Sequence, residues 1–243
     1  IMRMDVGMDT GPILAQAEVD LRDWRLLGMQ HLAVGNVSPV GGGFNIDYVL
    51  LDVFSGDQLL GSSAKTTGSG MRYTAHRIAD AIYEKLTGQP GVFSTRIAYV
   101  TDQGSGGRVT LRVSDADGYG AQTILSSNEP IMSPAWSPDG QHLAYVSFEN
   151  RRAAIYVQDL GSGRRDLVAS HPGINGSPAF SPDGRLLAMT LSKGGNPDIY
   201  VLDLASRELR QVTDHLGIDT EPAWSPDGAS IVFTSNRGGS PQV

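Results

Sequence analysis

Short apolar runs alternate with polar turns throughout the C-terminal part of the chain, and the pattern repeats. A Ser-Pro-Asp-Gly element follows an aromatic residue three times, with the aromatic at Trp136, Phe180 and Trp224, a period of 44 residues. Each copy precedes a strand-like run of about five residues. Repeats of about this length with four short strands each are typical of β-propeller blades. Residues 91–243 are therefore predicted to form a partial, all-β propeller of about 3.5 blades.

The Ser-Pro-Asp-Gly element has the composition of a tight hairpin turn. Proline fixes φ at the second turn position, aspartate accepts hydrogen bonds from the turn backbone, and glycine tolerates a positive φ. Asp139, Asp183 and Asp227 are therefore interpreted as turn residues. The pattern favours this role over three repeated calcium ligands or catalytic acids.

A different pattern precedes the repeats, and residues 20–90 are predicted to form a partial, small α/β domain. Alternating apolar positions indicate strands between about residues 30 and 66. Apolar residues then fall at helical spacing, which predicts a helix over residues 71–87 with Ser69 as its cap and Gly88 at its end. Residues 89–92 are interpreted as a linker, and residues 1–19 as a foreign or extension segment.

Composition and charge exclude several classes of function. The formal net charge is -7, which disfavours nucleic acid and anionic membranes as partners. The absence of cysteine excludes disulfides, thiolate nucleophiles and cysteine-ligated zinc. The sequence contains no run of 18 apolar residues, which is about the length that a membrane-spanning helix needs. The five histidines show no metal-binding pair, and no Gly-x-Ser-x-Gly nucleophile elbow occurs. The chain is therefore predicted not to be an enzyme.

Several segments besides the turn element carry a family likeness. They are residues 23–28, 34–36 and 83–88 in the first part, and 93–100, 144–149, 191–200 and 210–213 in the repeats. On these segments the chain resembles the TolB family, periplasmic β-propellers of the Tol–Pal envelope system. The likeness implies an α/β domain followed by a six-bladed propeller with WD40-like repeats. It also implies a chain shortened at both ends, without its signal peptide and without the N-terminal extension that contacts TolA.

The resemblance implies a non-catalytic periplasmic scaffold. Family members bind the lipoprotein Pal at the mouth of the propeller tunnel, work with other Tol proteins, support outer-membrane integrity and cell division, and are exploited in colicin import. The loops before each repeat are expected to form this mouth, and Pro222 is expected to keep Glu221 extended. Carried over by position from the family, the partner-binding residues are Ile174, Ser177, Thr220 and Glu221. Asn175 and Asp219 in the same loops complete the predicted site. The likeness implies no cofactor except calcium in the tunnel, for which Asp219 and Glu221 offer oxygen ligands.

Two other interpretations of the propeller stay open at this point. It could bind a solute or glycan, or it could be the remnant of a propeller-containing serine peptidase. Residues 1–14 resemble a segment of methionyl-tRNA formyltransferases, in which the aspartate at the position of Asp9 assists a catalytic asparagine and histidine. No such asparagine or histidine precedes Asp9 here, so catalysis by Asp9 is not expected.

Overall fold

The computed structural model describes residues 20–104 and 106–243, and the chain divides into two compact units. The first unit ends at Thr95 and the second begins at Arg96. The sequence places this boundary between residues 90 and 91, so the segment interpreted as a linker lies inside the first unit. Residues 1–14, with Asp9, and the rest of the segment up to residue 19 lie outside the described residues.

The described residues of the first unit form a three-stranded antiparallel sheet and two helices. Its elements are α1 (Arg22–Leu26), β1 (His31–Val40), β2 (Gly43–Asp52), β3 (Gln58–Thr66) and α2 (Met71–Thr87). The strands form a meander in the order β1-β2-β3. The central strand β2 provides the buried side chains Ile46, Leu50 and Leu51. These bounds confirm the predicted strands and the predicted helix.

The ends of α2 agree with the prediction only in part. Its N-cap is Gly70, which forms no side-chain cap, so the prediction of Ser69 as the cap is wrong. The Ser69 hydroxyl lies instead 3.1 Å from Oγ1 of Thr67. At the other end Gly88 takes a φ of 72° and its N–H donates to the carbonyl of Glu84, as predicted for a helix that ends in glycine. The sequence does not predict α1, because five residues are too few to show a helical period.

The second unit contains four antiparallel sheets, and they follow one another along the chain. Its strands are β4 (Arg96–Asp102), β5 (Val109–Asp115), β6 (Gln122–Ser127), β7 (Ile131–Trp136), β8 (His142–Ser147), β9 (Ala154–Asp159), β10 (Arg165–Ala169), β11 (Asn175–Phe180), β12 (Leu186–Leu191), β13 (Asp198–Asp203), β14 (Leu209–Gln211), β15 (Asp219–Trp224) and β16 (Ile231–Ser235). They form the sheets β4–β6, β7–β10, β11–β14 and β15–β16. The predicted partial propeller after a small α/β region is confirmed.

The first strand of each repeat lies at the inside of the propeller. Strands β7, β11 and β15 contact one another in that order, which arranges the repeats around a common axis. The next two strands of each four-stranded sheet carry most of the buried apolar side chains. In one cluster Val146 and Ile155 of one sheet pack with Leu187 and Met189 of the next. Apolar burial therefore joins neighbouring blades as well as filling each one.

The repeated turn has the hydrogen bonds that its composition predicts. In the second copy the Ser181 hydroxyl donates to Oδ1 of Asp183 at 2.6 Å, and the same oxygen accepts the N–H of Arg185 at 3.1 Å. The N–H of Leu186 donates to the Ser181 hydroxyl and closes the turn. The first and third copies repeat this pattern. The interpretation of the three aspartates as turn residues is confirmed.

A β-bulge interrupts each inner strand just before its proline. Ser133, Ser177 and Glu221 have φ values of 51°, 47° and 55°, and the pairing register shifts at the same places. The expectation that Glu221 is extended is therefore wrong. The extra residue of a bulge can take the left-handed conformation, and here that local geometry outweighs the preference of a residue before proline for an extended backbone.

Candidate partner-binding site

Three loops lead into the inner strands β7, β11 and β15, and they lie at the same end of those strands. They comprise residues 128–130, 170–174 and 212–218. We call these loops, together with the first three residues of the strands that follow them, the loop face. Leu216 is 96% exposed, and Met132, Ile174 and Ile218 are each about half exposed. Grouped exposed apolar side chains of this kind are typical of interaction surfaces.

Asn175 is one of the six predicted site residues, but it lies inside the protein. Its side chain is 1% exposed and forms hydrogen bonds within its own loop. Nδ2 donates to the carbonyl of His171 at 2.8 Å, and Oδ1 accepts the N–H of His171 at 2.9 Å. Direct contact between Asn175 and a partner is inconsistent with this burial. Asn175 instead fixes the conformation of the loop that carries Ile174.

Asp219 occupies the same position one repeat later and is also buried. Its Oδ1 accepts the Ser235 hydroxyl at 2.6 Å, and its Oδ2 accepts a guanidinium N–H of Arg237 at 2.6 Å. Asp219 is fully buried, so the expectation that it touches a partner is not supported either. Each carboxylate oxygen of Asp219 thus bonds to a group of the protein, and one of those groups is a cation, which does not favour calcium at this residue.

Glu221 is exposed at the bulge and is held by two threonines. Its N–H donates to Oγ1 of Thr190 in the neighbouring blade at 3.3 Å, and its Oε2 accepts the hydroxyl of Thr234 at 3.3 Å. The adjacent residue Thr220 is half-buried and pairs with Thr234 across the strand ladder. The bulge thus presents the Glu221 carboxylate at the surface in a defined position.

Ile174 and Ser177 lie on the preceding loop and strand. The Ile174 N–H donates to the Ser192 hydroxyl at 2.7 Å, while its side chain stays 47% exposed. Ser177 is half-buried at its bulge. Of the six predicted residues, those that reach the surface are Ile174, Ser177, Thr220 and Glu221.

Sequence reasoning did not single out the residues that support this surface. They are Thr190, Ser192, Thr234, Asn236 and Arg237. The repeat offered a signal for four of them, because Thr190 and Thr234 are 44 residues apart, as are Ser192 and Asn236. Ser192 and Asn236 accept equivalent N–H groups, those of Ile174 and Ile218.

Two histidines lie within the loop face at equivalent positions of two repeats, His171 and His215. Burial, together with the positive charge of Lys193, lowers the pKa of His171, so its imidazole is neutral at neutral pH. His215 accepts the N–H of Gly217 on its Nδ1 at 2.8 Å and so shapes its own loop. The His215 ring therefore takes part in loop structure, whereas His171 bonds to Asn175 through its backbone.

Two family models match the sequence. The TolB amino-terminal domain matches residues 6–59, and the TolB beta propeller domain matches residues 83–243. The chain belongs to the TolB family. In the described residues no helix has both the length and the apolar composition needed to cross a membrane.

Named relatives and a solved structure agree with this family. The Tol-Pal system protein TolB of Xanthomonas campestris pv. campestris is 56% identical over 163 residues, which are 66% of this chain and 37% of that protein. The TolB of Xanthomonas oryzae pv. oryzae is 55% identical over 163 residues. The crystal structure of TolB from Acinetobacter baumannii, 42% identical, superimposes with a TM-score of 0.87 over 98% of this chain and 60% of that one. The match thus spans less than half the length of the curated relatives.

Proposed function

We propose that this TolB-family chain is a non-catalytic periplasmic scaffold that binds the lipoprotein Pal through the loop face. Family membership and the printed name of the relatives, Tol-Pal system protein TolB, support a role in that system. The proposal extends to other Tol proteins and colicin translocation segments as partners, and to roles in outer-membrane integrity and cell division. The absence of a nucleophile elbow and of cysteine from the sequence supports the non-catalytic part.

The observation that carries the proposal is the fixed carboxylate of Glu221 among exposed apolar side chains. Ile218 is 47% exposed and lies three residues away on the same loop face. A carboxylate whose backbone is already ordered loses little entropy on binding, so it can accept a hydrogen bond from a partner at low cost. Apolar anchors around such a group supply the buried centre that a protein interface needs.

The test is the substitution Glu221→Ala, with binding to purified Pal measured by isothermal titration calorimetry. Loss of a charge-assisted hydrogen bond at a desolvated interface corresponds to about 1.4 kcal/mol or more, so we expect the dissociation constant to rise at least about tenfold. Glu221 is exposed, so the free energy of unfolding should change by about 0.5 kcal/mol or less.

The matched control is Glu208→Ala, because Glu208 is an exposed glutamate in the turn between β13 and β14, away from the loop face. It removes the same charge and should leave the dissociation constant unchanged. Equal loss of affinity in both variants would mean a general effect of net charge. Wild-type affinity in Glu221→Ala would show that Pal binds elsewhere, and no measurable binding by the wild type would show that Pal is not a partner.

A further inference from the structure

A groove of about 490 Å³ lies between the sheets β7–β10 and β11–β14, at the opposite end of the inner strands from the loop face. Its rim includes two consecutive Ser-Pro-Asp-Gly turns, through Pro138 and Gly184. Ligand-binding clefts have volumes of roughly 300 to 1,000 Å³ and often lie between structural units, as this groove does. Neither the family match nor the proposed Pal site assigns a role to it.

The floor of the groove is apolar and only partly covered. Val157 and Val168 from one blade face Phe180 and Leu204 from the next. All four are partly buried side chains that pack against the cluster joining the two blades. Each therefore has one side fixed by the core and another side open to the groove. Such a floor offers a stable apolar surface to a ligand without any rearrangement of the blades.

The charged groups on the rim are mostly carboxylates. Asp139, Asp166 and Asp183 line the groove together with one guanidinium, that of Arg207, and the ring of His142. Oδ2 of Asp166 lies 3.2 Å from the guanidinium of Arg164 and 4.0 Å from that of Arg207, so this carboxylate is already paired. In Asp139 and Asp183 the turn serines use only Oδ1, which leaves Oδ2 outside the hydrogen bonds of the turn. The Ser137 and Ser181 hydroxyls and backbone N–H groups lower the pKa of both aspartates, so both are charged at neutral pH.

We propose that this groove binds an extended polypeptide segment that carries a lysine or arginine. The aliphatic part of such a side chain packs on an apolar floor while its charged end stays at the rim, which is how long basic side chains occupy partly buried sites. The floor of Val168, Phe180 and Leu204 suits the aliphatic part, and the carboxylates of Asp139 and Asp183 suit the cation. Because Asp166 is already paired, Asp139 and Asp183 are the rim carboxylates that favour a cation over an anion.

The next blade interface repeats the arrangement. A smaller groove of about 320 Å³ lies between the turns that contain Asp183 and Asp227, and Trp224 contributes to its lining. Asp183 therefore borders both grooves. An extended segment with two basic residues can place one in each groove, whereas a single cation can occupy only one at a time.

The experiment uses blocked peptides and the 243-residue chain. Acetyl-Lys-Leu-Lys-amide is titrated at low salt while the backbone amide resonances are followed by NMR, and acetyl-Glu-Leu-Glu-amide is the charge-reversed control. We expect the lysine peptide to shift the resonances of Val157, Val168 and Leu204 with a dissociation constant below about 1 mM. The glutamate peptide should not, and about 0.3 M salt should weaken the binding severalfold because the rim is exposed.

Two variants test the groove itself. Val168→Phe fills it and should weaken binding at least about fivefold, a change of about 1 kcal/mol. Leu167→Phe is the matched control, because Leu167 is the exposed neighbour on the same strand and does not line the groove, and it should bind like wild type. Asp183→Asn removes one of the two proposed cation ligands while the turn acceptor and the floor stay in place, and it should weaken binding about threefold. This variant tests the proposal if Val168→Phe fails to fold.

Three results would overturn the proposal. One is equal binding of the two peptides, which would show that charge plays no part. Another is wild-type binding by a folded Val168→Phe variant, or by Asp183→Asn where Val168→Phe does not fold. The third is a set of shifts confined to the loop face, which would place the peptide at the opposite end of the inner strands. None of these results depends on whether Pal binds, so the proposed function is tested separately.

Discussion

At the scale of single residues, the position of Glu221 depends on a hydroxyl from another blade. Thr190 is 1% exposed and its Oγ1 accepts the Glu221 N–H at the bulge. The equivalent residue one repeat earlier is Val146, which offers Ser177 no such acceptor. A left-handed residue that is not glycine carries backbone strain, and surrounding hydrogen bonds must hold it in place. Thr190 is thus a positioning residue for the Glu221 carboxylate.

The substitution Thr190→Val tests this role. Valine keeps the shape of threonine but removes the acceptor, so the Glu221 amide should exchange with solvent about fivefold faster, corresponding to about 1 kcal/mol. The exchange rate of the Glu221 amide is measured by NMR on the free protein, so the experiment does not require Pal. Thr190→Ser keeps the hydroxyl and should preserve the slow exchange even if the free energy of unfolding falls. An unchanged rate in Thr190→Val would show that the hydroxyl does not hold the bulge.

The turn aspartates should make stability depend on pH. The Ser181 hydroxyl and a backbone N–H lower the pKa of Asp183 from 3.8. The equivalent serine hydroxyls and backbone N–H groups lower the pKa of Asp139 and of Asp227. A carboxylate with a depressed folded-state pKa stabilises the fold above its unfolded pKa, and this contribution is lost as pH falls through the folded pKa. The free energy of unfolding in urea should therefore decline below about pH 4.

The variant Asp183→Asn isolates one turn in this pH series. Asparagine keeps an oxygen that can accept from Ser181 and Arg185, but it cannot titrate. Its decline in stability below about pH 4 should be shallower than that of the wild type. Parallel curves would show that the Asp183 carboxylate contributes no pH-dependent stability.

Residue-level details divide into those that local sequence determines and those that it does not. The role of Asp183 follows from its turn, because all of its hydrogen-bond partners lie within two residues. The conformation of Glu221 depends instead on a strand bulge and on Thr190, which is 31 residues away in sequence. Asn175 and Asp219 look like surface loop residues in the sequence. The side chain of Asn175 bonds to His171 in its own loop, whereas that of Asp219 bonds to Ser235 and Arg237, at least 16 residues away.

At the scale of elements, the aromatic residue of the repeated turn element contacts the preceding blade in a way that differs between repeats. The indole N–H of Trp224 donates to the carbonyl of Ala179 in the preceding blade at 3.0 Å. The equivalent residue one repeat earlier is Phe180, which has no donor. Trp136 in the first repeat has its ring 4.9 Å from the guanidinium carbon of Arg96 instead. The same position thus joins blades by different interactions.

Replacing Trp224 by phenylalanine measures that hydrogen bond. Trp224→Phe keeps an aromatic ring, as in the preceding repeat, and loses the bond to the Ala179 carbonyl. We expect the free energy of unfolding in urea to fall by about 1 kcal/mol. Trp136→Phe is the comparison variant, because it keeps a ring that can face Arg96. It should lower the free energy of unfolding by less than Trp224→Phe does. A loss of the same size in both variants would point to ring size and not to the Trp224 bond.

The elements with a clear period could be predicted from the sequence. The 17-residue helix α2 was predictable because its apolar residues recur at helical spacing, and its glycine end is a local signal. The blade strands were predictable because the 44-residue repeat aligns them with one another. The cap at Gly70 could not be predicted, because serine and glycine are both common at the start of a helix. Which of the two caps α2 depends on the fold of the preceding turn, in which the Gly70 N–H donates to the Thr67 hydroxyl.

At the scale of the whole molecule, buried apolar side chains are unevenly divided between the two units. In the described residues of the first unit, the buried apolar side chains are Ile46, Leu50, Leu51 and Val53. Helix α2 has no buried residue, and β1 alternates between exposed and half-buried positions. The second unit has buried runs of five residues in each of β8, β12 and β13. Apolar burial is the main source of folding free energy, so the second unit should open less often.

Hydrogen–deuterium exchange measured by mass spectrometry tests this difference across the chain. After correction for intrinsic rates, peptides from β8, β12 and β13 should exchange at least about tenfold more slowly than peptides from β1 and α2, because their amides need a larger opening to reach solvent. Within the first unit β2 should be the slowest, since Leu50 and Leu51 are buried there. Comparable protection of α2 and β12 would contradict the argument, because it would mean that the two units open together despite their unequal cores.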